Sequence, residues 1–212
     1  MDRRRLKRIP IPGDLGDPRG FRALAEAWLE HGRVANLSKW TTYNFEKDLR
    51  YFFVWCELRG LTRPQEVTRP ILERYQRWLF HYRKSDGKPL TFHSQKKRLV
   101  AVQSFFRWLT RENHLLSNPA ADLDLPRLEV RLPKHILTAA EVDRVMAVAD
   151  VTKPRGLRDR AVLEVLYATG MRRAEVCALT LYDLDAERGV VTVRQGKGKK
   201  DRTVPIGERA LA

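Results

Sequence analysis

Residues 167–205 read YATGMRRAEVCALTLYDLDAERGVVTVRQGKGKKDRTVP, and this stretch organises the rest of the chain. It predicts a helix that ends at Gly170, because glycine commonly adopts the left-handed conformation that closes a helix. A short turn with Arg172 and Glu175 follows, and then two strand-like segments joined by QGKGKKD at residues 195–201. A guanidinium, a carboxylate and a glycine-flanked lysine therefore fall within one compact span, an arrangement suited to binding phosphate.

The chemistry of phosphodiester exchange explains why these residue types matter together. Charge that develops on the phosphate oxygens needs fixed cationic donors, and the leaving alkoxide needs a positioned acid. Arg172 can offer two parallel donors, Glu175 lies three residues further on the same helical face, and Lys197 sits at the hairpin tip. From the residues alone a second interpretation stays open, in which Arg-x-x-Glu is a surface pair and Gly-Lys-Gly a solvated turn.

The charge balance indicates a polyanionic partner. Of 212 residues, 41 are Lys or Arg and 26 are Asp or Glu, which gives a formal net charge of +15. Such an excess favours nucleic acid over a merely basic protein or an anionic membrane surface. No apolar run approaches the roughly 20 residues that span a bilayer, and no signal peptide follows the basic N-terminus. We therefore expect a cytoplasmic protein without a membrane partner.

Cysteine and histidine usage gives no sign of a metal or a disulfide. Cys56 and Cys177 are far apart in predicted helices, and both are predicted to be reduced core residues. The five histidines are scattered, and none follows His135. We therefore expect no metal site.

Prolines, glycines and periodicity divide the chain into four parts. Residues 1–17 form a basic arm, residues 18–124 a helical domain, residues 125–137 a proline-containing linker, and residues 138–212 a second domain. The helical domain is predicted to be a bundle of four or five helices. Its aromatic residues are predicted to be mostly core, namely Trp28, Phe45, Phe52, Phe53, Tyr75, Trp78, Phe105, Phe106 and Trp108.

A helix predicted from about Thr91 to Glu112 is the clearest candidate for contact with DNA. Phe92, Leu99 and Phe105 belong to its apolar line, and basic and polar residues occupy the other side. Such a helix can pack through one face and reach phosphates or base edges with the other. The predicted contacts in the first part of the chain are Arg3, Arg4, Arg5, Thr41, His93, Ser94, Lys96 and Lys97.

The second domain is predicted to begin with a capping box at Thr138 and Glu141. The helix after it should turn Val142, Val145, Met146 and Ala149 inward. A further helix, from about residue 157 to residue 168, should bury Ala161, Val162, Val165 and Leu166.

Four segments carry a resemblance to a known family. LRDRAVLEVLYATGMRRAEVCALTLYDLD (157–185) and GVVTVRQGKGKKDRTVPIGE (189–208) resemble the start of the catalytic domain of tyrosine recombinases, the phage integrase family, and above all its Xer-like branch. WTTYNFEKDLRYFFVWCELRGL (40–61) and KKRLVAVQSFFRWLTREN (96–113) resemble the family's helical core-binding domain. The resemblance implies a mainly α fold with a small β-sheet, in which a SAM-like core-binding domain precedes the N-terminal part of an α+β catalytic domain.

The resemblance also implies roles for individual residues. Arg172 matches the first catalytic arginine, Glu175 the accompanying acidic residue, and Lys197 the lysine that helps to protonate the leaving 5′ hydroxyl. Arg173 and Lys199 would be nearby DNA contacts. Family members cut DNA through a 3′-phosphotyrosyl link without metal or nucleotide cofactor. The implied partners are duplex DNA with inverted-repeat sites and further recombinase subunits.

The sequence departs from the family pattern after the hairpin. The family needs a later His-x-x-Arg and a tyrosine nucleophile, but no histidine follows Lys197 and Tyr182 is the last tyrosine. Neither Tyr182 nor Tyr167 matches the nucleophile, and Tyr167 is predicted to lie in the core. We therefore expect a C-terminally truncated recombinase that binds DNA and does not cleave it alone. A non-catalytic module that occupies recombination sites is the alternative, and a helical RNA-binding protein is a weaker one.

Overall fold

The computed structural model describes residues 11–129, 135–196, 198 and 200–211. The chain divides into two compact units, Met1–Val130 and Arg131–Ala212. Each unit has its own hydrophobic cluster. The predicted mainly α fold with a small β-sheet is confirmed.

Long amphipathic helices build the described part of the first unit. Ser38 and Thr91 cap two of them: the Ser38 hydroxyl accepts from the Thr41 backbone N–H at 3.1 Å, and the Thr91 hydroxyl accepts from that of Ser94. A short 3-10 helix, Pro64–Glu66, precedes the third helix. The helices are α1 (Phe21–Val34), α2 (Lys39–Glu57), α3 (Arg69–His81) and α4 (Phe92–Arg111).

Aromatic side chains fill the core of this unit, as the sequence predicted. Phe52, Phe53, Phe105 and Phe106 are fully buried. Their rings meet mostly edge to face or tilted, with centroids about 6 Å apart in the Phe52–Phe106 pair. Most of the remaining predicted aromatic residues are buried with them, while Phe45 and Trp78 are partly buried and pack against the cluster.

Helix α1 continues past Gly32 to Val34, and the left-handed residue that follows it is Asn36, with φ 58°. Gly32 is buried under Leu37, whose Cδ1 lies 3.2 Å from where a Cβ would stand. One prediction for α4 is wrong: Phe92, predicted for its apolar line, is half exposed and stacks on the ring of Phe80 at the surface.

The second unit combines short helices with a small antiparallel sheet. Its three strands pair in chain order, with Leu184 opposite Val191 and Val191 opposite Val204. A short 3-10 helix, Leu181–Asp183, leads into β1. The elements are α5 (Ala139–Ala147), α6 (Pro154–Thr169), α7 (Arg173–Val176), β1 (Leu184–Asp185), β2 (Val190–Val193), β3 (Arg202–Pro205) and α8 (Glu208–Leu211).

Gly170 ends α6 with φ 61°, as predicted. The Thr138–Glu141 capping box is also present at the start of α5. The buried cluster is small and lies on the sheet and the α6–α7 turn. It consists of Met171, Val191, Val193 and Ile206.

Several burial predictions for this unit are wrong. Tyr167, predicted as core, is 57% exposed, and Cys177 is exposed as well. Val145, Ala161 and Val162 are also exposed, which corrects the predicted inner faces of α5 and α6. The physical reason is that the cluster forms on the sheet, so α6 contributes only part of its apolar surface.

A buried carboxylate replaces the expected apolar contact on α6. Glu164 accepts hydrogen bonds from Arg160 Nε at 2.8 Å and Arg209 Nε at 3.0 Å. Arg209 also pairs with Asp143 at 2.8 Å. An arginine on α8 therefore joins α8 to both α5 and α6, and its charge makes the burial of Glu164 tolerable. Within the described residues, no helix combines the length and apolar character needed to cross a bilayer.

Candidate active site and nucleic-acid interface

Arg172 is the residue that precedes the first turn of α7, and Glu175 lies on that turn. The Glu175 carboxylate accepts from the Arg172 backbone N–H at 2.9 Å through Oε2 and from Arg172 Nη1 at 3.0 Å through Oε1. The carboxylate thus caps the start of the helix and orients the arginine side chain. The sequence predicted this pairing from the three-residue spacing.

A second arginine, on β3, holds the same carboxylate. Arg202 Nη1 donates to Glu175 Oε1 at 3.1 Å and Nη2 donates to Oε2 at 2.7 Å, which is the bidentate fork geometry. The Glu175 side chain is only 8% exposed. The hydrogen bonds from Arg202, together with the Arg172 backbone N–H, lower the pKa of Glu175 to about 2. Glu175 is therefore a fixed anion at ordinary pH.

The arrangement leaves Arg172 as the more accessible of the two cations. The Arg172 side chain is 58% exposed, whereas the side chain of its partner Glu175 is 8% exposed. Two guanidinium groups share one carboxylate, so the cluster carries a net positive charge. An exposed, oriented guanidinium with a net positive surrounding can bind an oxyanion such as a phosphate.

The β2–β3 connection is shaped by hydrogen bonds within it. The Gln195 backbone N–H donates to Asp201 Oδ1 at 2.7 Å, and that of Gly196 donates to the Lys200 carbonyl at 3.0 Å. Gln195 and Gly198 both have positive φ, at 48° and 81°. Glycine is the residue that tolerates this conformation best.

Five predicted site residues lie outside the described residues. They are Arg3, Arg4, Arg5, Lys197 and Lys199. Arg173, by contrast, is described and is exposed on α7.

A second arginine–carboxylate pair lies at the other end of the hairpin connection. Arg194 Nε donates to Asp183 Oδ1 at 2.7 Å. Asp183 is buried and also accepts from the Thr180 backbone N–H at 2.9 Å and the Thr180 hydroxyl at 2.7 Å. These hydrogen bonds, with those from Thr180 the largest, lower the pKa of Asp183 to about 2. Each end of the connection is thus joined to a carboxylate that caps a short helical turn.

The first unit has a groove between α2 and α4 that is lined by four of the five predicted DNA contacts that the structure describes in this unit. Thr41, His93, Lys96 and Lys97 all line it, and its volume is about 400 Å³. Ser94 is not among the lining residues, because it belongs to the cap of α4 and its hydroxyl pairs with that of Thr91 at 3.1 Å. The other lining residues are Trp40, Asn44, Phe45, Asp48, Val100 and Leu128.

Sequence reasoning missed two features of this groove. Trp40 is 71% exposed and stacks on Tyr43 at 5.4 Å, next to the cationic rim. Asp48 is buried at the groove, where desolvation raises the pKa of its carboxyl against the opposing effect of Lys47 and Arg98. The sequence did contain a sign that Trp40 is exposed: it lies outside the apolar line of α2, one residue before the predicted contact Thr41.

Arg202 was missed for a different reason. It stands opposite Val193 in the hairpin register, so both side chains lie on the same face of the sheet. That face carries the buried cluster and Glu175. Only the register, which the sequence did not fix, reveals that an arginine after the connection turns inward.

Comparison with protein families identifies both units. Residues 25–113 match the phage integrase N-terminal SAM-like domain, and residues 135–212 match the phage integrase family. A SAM-like helical unit followed by an integrase-type α+β unit defines the class of protein. The chain belongs to the phage integrase family of tyrosine recombinases, which confirms the resemblance seen in the sequence.

Curated relatives are Xer recombinases. Tyrosine recombinase XerC 2 of Ralstonia nicotianae is 54% identical over 88% of this chain and 54% of its own length. XerD of Pseudomonas aeruginosa is 37% identical over 90% of this chain and 59% of its own. XerC of Bacillus subtilis is 34% identical over 82% and 55%. The chain thus spans about half the length of the curated relatives it matches.

Solved structures of integrases share the fold. A lambda integrase tetramer bound to a Holliday junction matches with a TM-score of 0.62 and 19% identity, over 91% of this chain and 53% of that one. The Tn1549 transposon integrase in complex with circular intermediate DNA matches with a TM-score of 0.59 and 18% identity, over 89% and 62%. At these identities the likeness concerns the fold alone.

Proposed function

We propose that the chain carries the DNA-binding unit and the first half of the active site of a site-specific DNA recombinase. Such an enzyme breaks and rejoins duplex DNA through a 3′-phosphotyrosyl intermediate. The observation that carries the proposal is the Arg172–Glu175–Arg202 cluster, in which an exposed guanidinium is oriented by a buried carboxylate. Family membership supplies the chemical context in which such a cluster faces a scissile phosphate.

Each residue of the cluster has a distinct role in this proposal. Arg172 donates to two non-bridging oxygens of the phosphate and stabilises the charge that grows on them in the transition state. Glu175 does not touch the phosphate and instead fixes the direction of the Arg172 side chain. Lys197 protonates the leaving 5′ oxygen, and Arg173 and Lys199 contact the flanking backbone.

The groove of the first unit supplies the second part of the interface. Lys96, Lys97 and His93 present cationic or polar groups along the start of α4, and the formal charge of the whole chain is +15. Lysines at such a surface neutralise phosphates and release bound counterions, which provides sequence-independent affinity. Thr41 and the exposed Trp40 ring lie beside them and are placed for contacts to sugar or base edges.

The partners in this proposal are duplex DNA with inverted-repeat sites and further recombinase subunits. The matched lambda integrase structures, a dimer bound to a core site and a tetramer bound to a Holliday junction, support it. Two copies on an inverted repeat would place two clusters on the two strands. Two such duplexes held together by four copies would allow strands to be exchanged one pair at a time.

We further propose that the nucleophile of the reaction is not among the tyrosines of this sequence. Tyr167 and Tyr182 are exposed in the second unit, yet neither occupies the family position of the nucleophile. The 212-residue chain should therefore bind a site without forming a covalent bond to it.

A nicked suicide substrate tests this proposal. A duplex selected for binding to the chain is nicked so that strand cleavage would trap a protein–DNA adduct. We expect a mobility shift on a native gel and no adduct on a denaturing gel, with Tyr167→Phe and Tyr182→Phe unchanged. An adduct formed by this chain would refute the missing nucleophile, and stronger binding to single-stranded RNA would refute the DNA function.

A further inference from the structure

The fork between Arg202 and Glu175 joins the β2–β3 hairpin to the turn that carries Arg172. Arg202 stands at the first position of β3, directly after the connection, and both of its terminal nitrogens donate to the Glu175 carboxylate. The same carboxylate receives Nη1 and the backbone N–H of Arg172. One buried anion therefore links two segments that are 27 residues apart in sequence.

The exposure of the three side chains separates their roles. Glu175 is 8% exposed, Arg202 is 38% exposed, and Arg172 is 58% exposed. Both terminal nitrogens of the Arg202 guanidinium donate to the carboxylate, and this fork geometry restricts rotation of both groups. Arg172 is joined to that fixed carboxylate and is the more accessible of the two cations.

The backbone of the hairpin connection also packs on the fork. A Cβ at Gly196 would stand 2.7 Å from Arg202 Nη1 and 3.1 Å from both Glu175 Oε1 and the Lys200 carbonyl oxygen. A side chain at position 196 would therefore have to displace the Arg202 guanidinium from its place beside Glu175, whereas glycine allows this close approach. The backbone of the connection at Gly196 therefore packs directly against the Arg202–Glu175 pair.

We infer that Arg202 is a positioning residue of the candidate active site: through Glu175 it fixes the Arg172 guanidinium and couples it to the β2–β3 hairpin. The inference rests on the proposed function, because it names the group that holds the phosphate-binding arginine in place. Arg202 itself does not touch the phosphate. Its loss should leave Arg172 present but free to rotate away from the binding geometry.

The chain offers a matched control on the same hairpin. Arg194 stands at the other end of the connection and pairs with buried Asp183 at 2.7 Å. This pair has the same chemistry and resembles the Arg202–Glu175 pair in burial of its carboxylate, but it has no contact with Glu175 among the hydrogen bonds of the described residues. Arg194→Met therefore removes an equivalent pair without touching the support of Arg172.

Two measurements on the full chain test the inference. The first follows rotation of the Arg172 guanidinium by ¹⁵N NMR, with the signal assigned by its loss in Arg172→Lys. The second compares affinity for a nicked duplex whose 3′ side carries either phosphate or hydroxyl. The variants are Arg202→Met, Arg202→Lys and Arg194→Met, each checked for a folded thermal transition.

We expect the wild-type chain to prefer the 3′-phosphate nick by roughly tenfold, which is typical for a charge-assisted contact. Arg202→Met should accelerate rotation of the Arg172 guanidinium and reduce the preference to below about threefold. Arg202→Lys, which keeps the charge and loses the fork, should keep a folded thermal transition and retain only part of the preference. Arg194→Met should retain both the slow rotation and the preference.

The two measurements test different claims, and each claim can be overturned without the other. An Arg172 signal in folded Arg202→Met or Arg202→Lys that matches wild type would overturn the positioning role. Equal loss of rotation control in Arg194→Met would overturn it too, since general loosening of the hairpin would then explain the effect. A wild-type chain that shows no preference for the 3′-phosphate would instead overturn the proposed function, while the NMR comparison still decides the inference.

Discussion

Glu175 is the residue on which the candidate active site depends, because donors from α7 and β3 converge on its carboxylate. The carboxylate is held ionised by these donors, and Arg202 contributes most to the lowering of its pKa. An anion with so many donors costs little to bury, whereas a neutral replacement would leave two guanidinium groups competing for one acceptor. Its role is therefore structural and electrostatic at once.

This environment predicts the acid sensitivity of the second unit. The folded pKa of Glu175, about 2, lies below the ordinary value of 4.5, so its stabilising effect is complete above about pH 4.5 and is lost as the pH falls toward 2. Glu175→Gln should lower stability at pH 7 and flatten the decline between pH 4.5 and pH 2. Denaturant unfolding at several pH values measures both effects.

The matched control for this prediction is Glu187→Gln, which removes the same charge from an exposed position between β1 and β2. It should keep the acid-dependent decline of the wild-type chain. If Glu175→Gln and Glu187→Gln gave the same dependence of stability on pH, the ionised carboxylate of Glu175 would not stabilise the second unit as proposed.

The lysines of the α2–α4 groove give a second prediction for single residues. Replacing Lys96 and Lys97 together by alanine should weaken binding to duplex DNA roughly 10- to 100-fold at 0.1 M salt and reduce the salt slope by about 2. Fluorescence anisotropy over a salt series measures both quantities. The control is Lys84→Ala with Lys88→Ala, which removes the same charge near the turn at residues 85–89, away from the groove lining. Equal effects of the two double variants would place the interface elsewhere.

At the scale of elements, the turn between α6 and α7 determines the position of Arg172. Gly170 ends α6 in the left-handed conformation, with φ 61° and open space where a Cβ would stand. Gly170→Ala should therefore cost about 1 kcal/mol of stability through backbone strain alone. Gly207→Ala is the control, because it has the same open space without a left-handed φ. Because Gly207 is exposed, its replacement should cost at most about 0.5 kcal/mol in thermal or denaturant unfolding. Equal losses of stability in Gly170→Ala and Gly207→Ala would contradict the role given to the left-handed conformation of Gly170.

The elements also show what sequence patterns can predict. The helices of the first unit are long and amphipathic, so apolar periodicity predicted them closely. In the second unit the core is small and is formed by residues distant in sequence, so the same apolar pattern on α6 misplaced Val162 and Tyr167 at buried positions. Charged pairs such as Glu164 with Arg209 take the place that apolar contacts were expected to occupy.

The candidate site was predictable to the extent that it is local. Arg172 and Glu175 lie three residues apart on one turn, and spacing alone brought them together. Arg202 reaches Glu175 only because the hairpin register places it there. Thr41 and Lys96 line the same groove only because α2 packs on α4. These non-local contacts require the tertiary structure.

At the scale of the whole molecule, we propose that a cationic helical unit and an arginine-centred α+β unit on one chain serve recognition of a specific duplex. Charge alone would produce non-specific binding, since phosphate contacts carry no sequence information. Site-specific function requires in addition that side chains such as Thr41 and Trp40 discriminate between base sequences or DNA shapes.

Selection of binding sequences from a random duplex pool tests this claim most directly. The 212-residue chain should enrich a defined half-site, and an inverted repeat of that half-site should compete at least 100-fold better than scrambled duplex, within the range typical of specific binding. Lys96→Ala with Lys97→Ala should abolish the enrichment. Recovery of no common sequence, or equal competition by scrambled duplex, would contradict the assignment of this chain to site-specific DNA recombination.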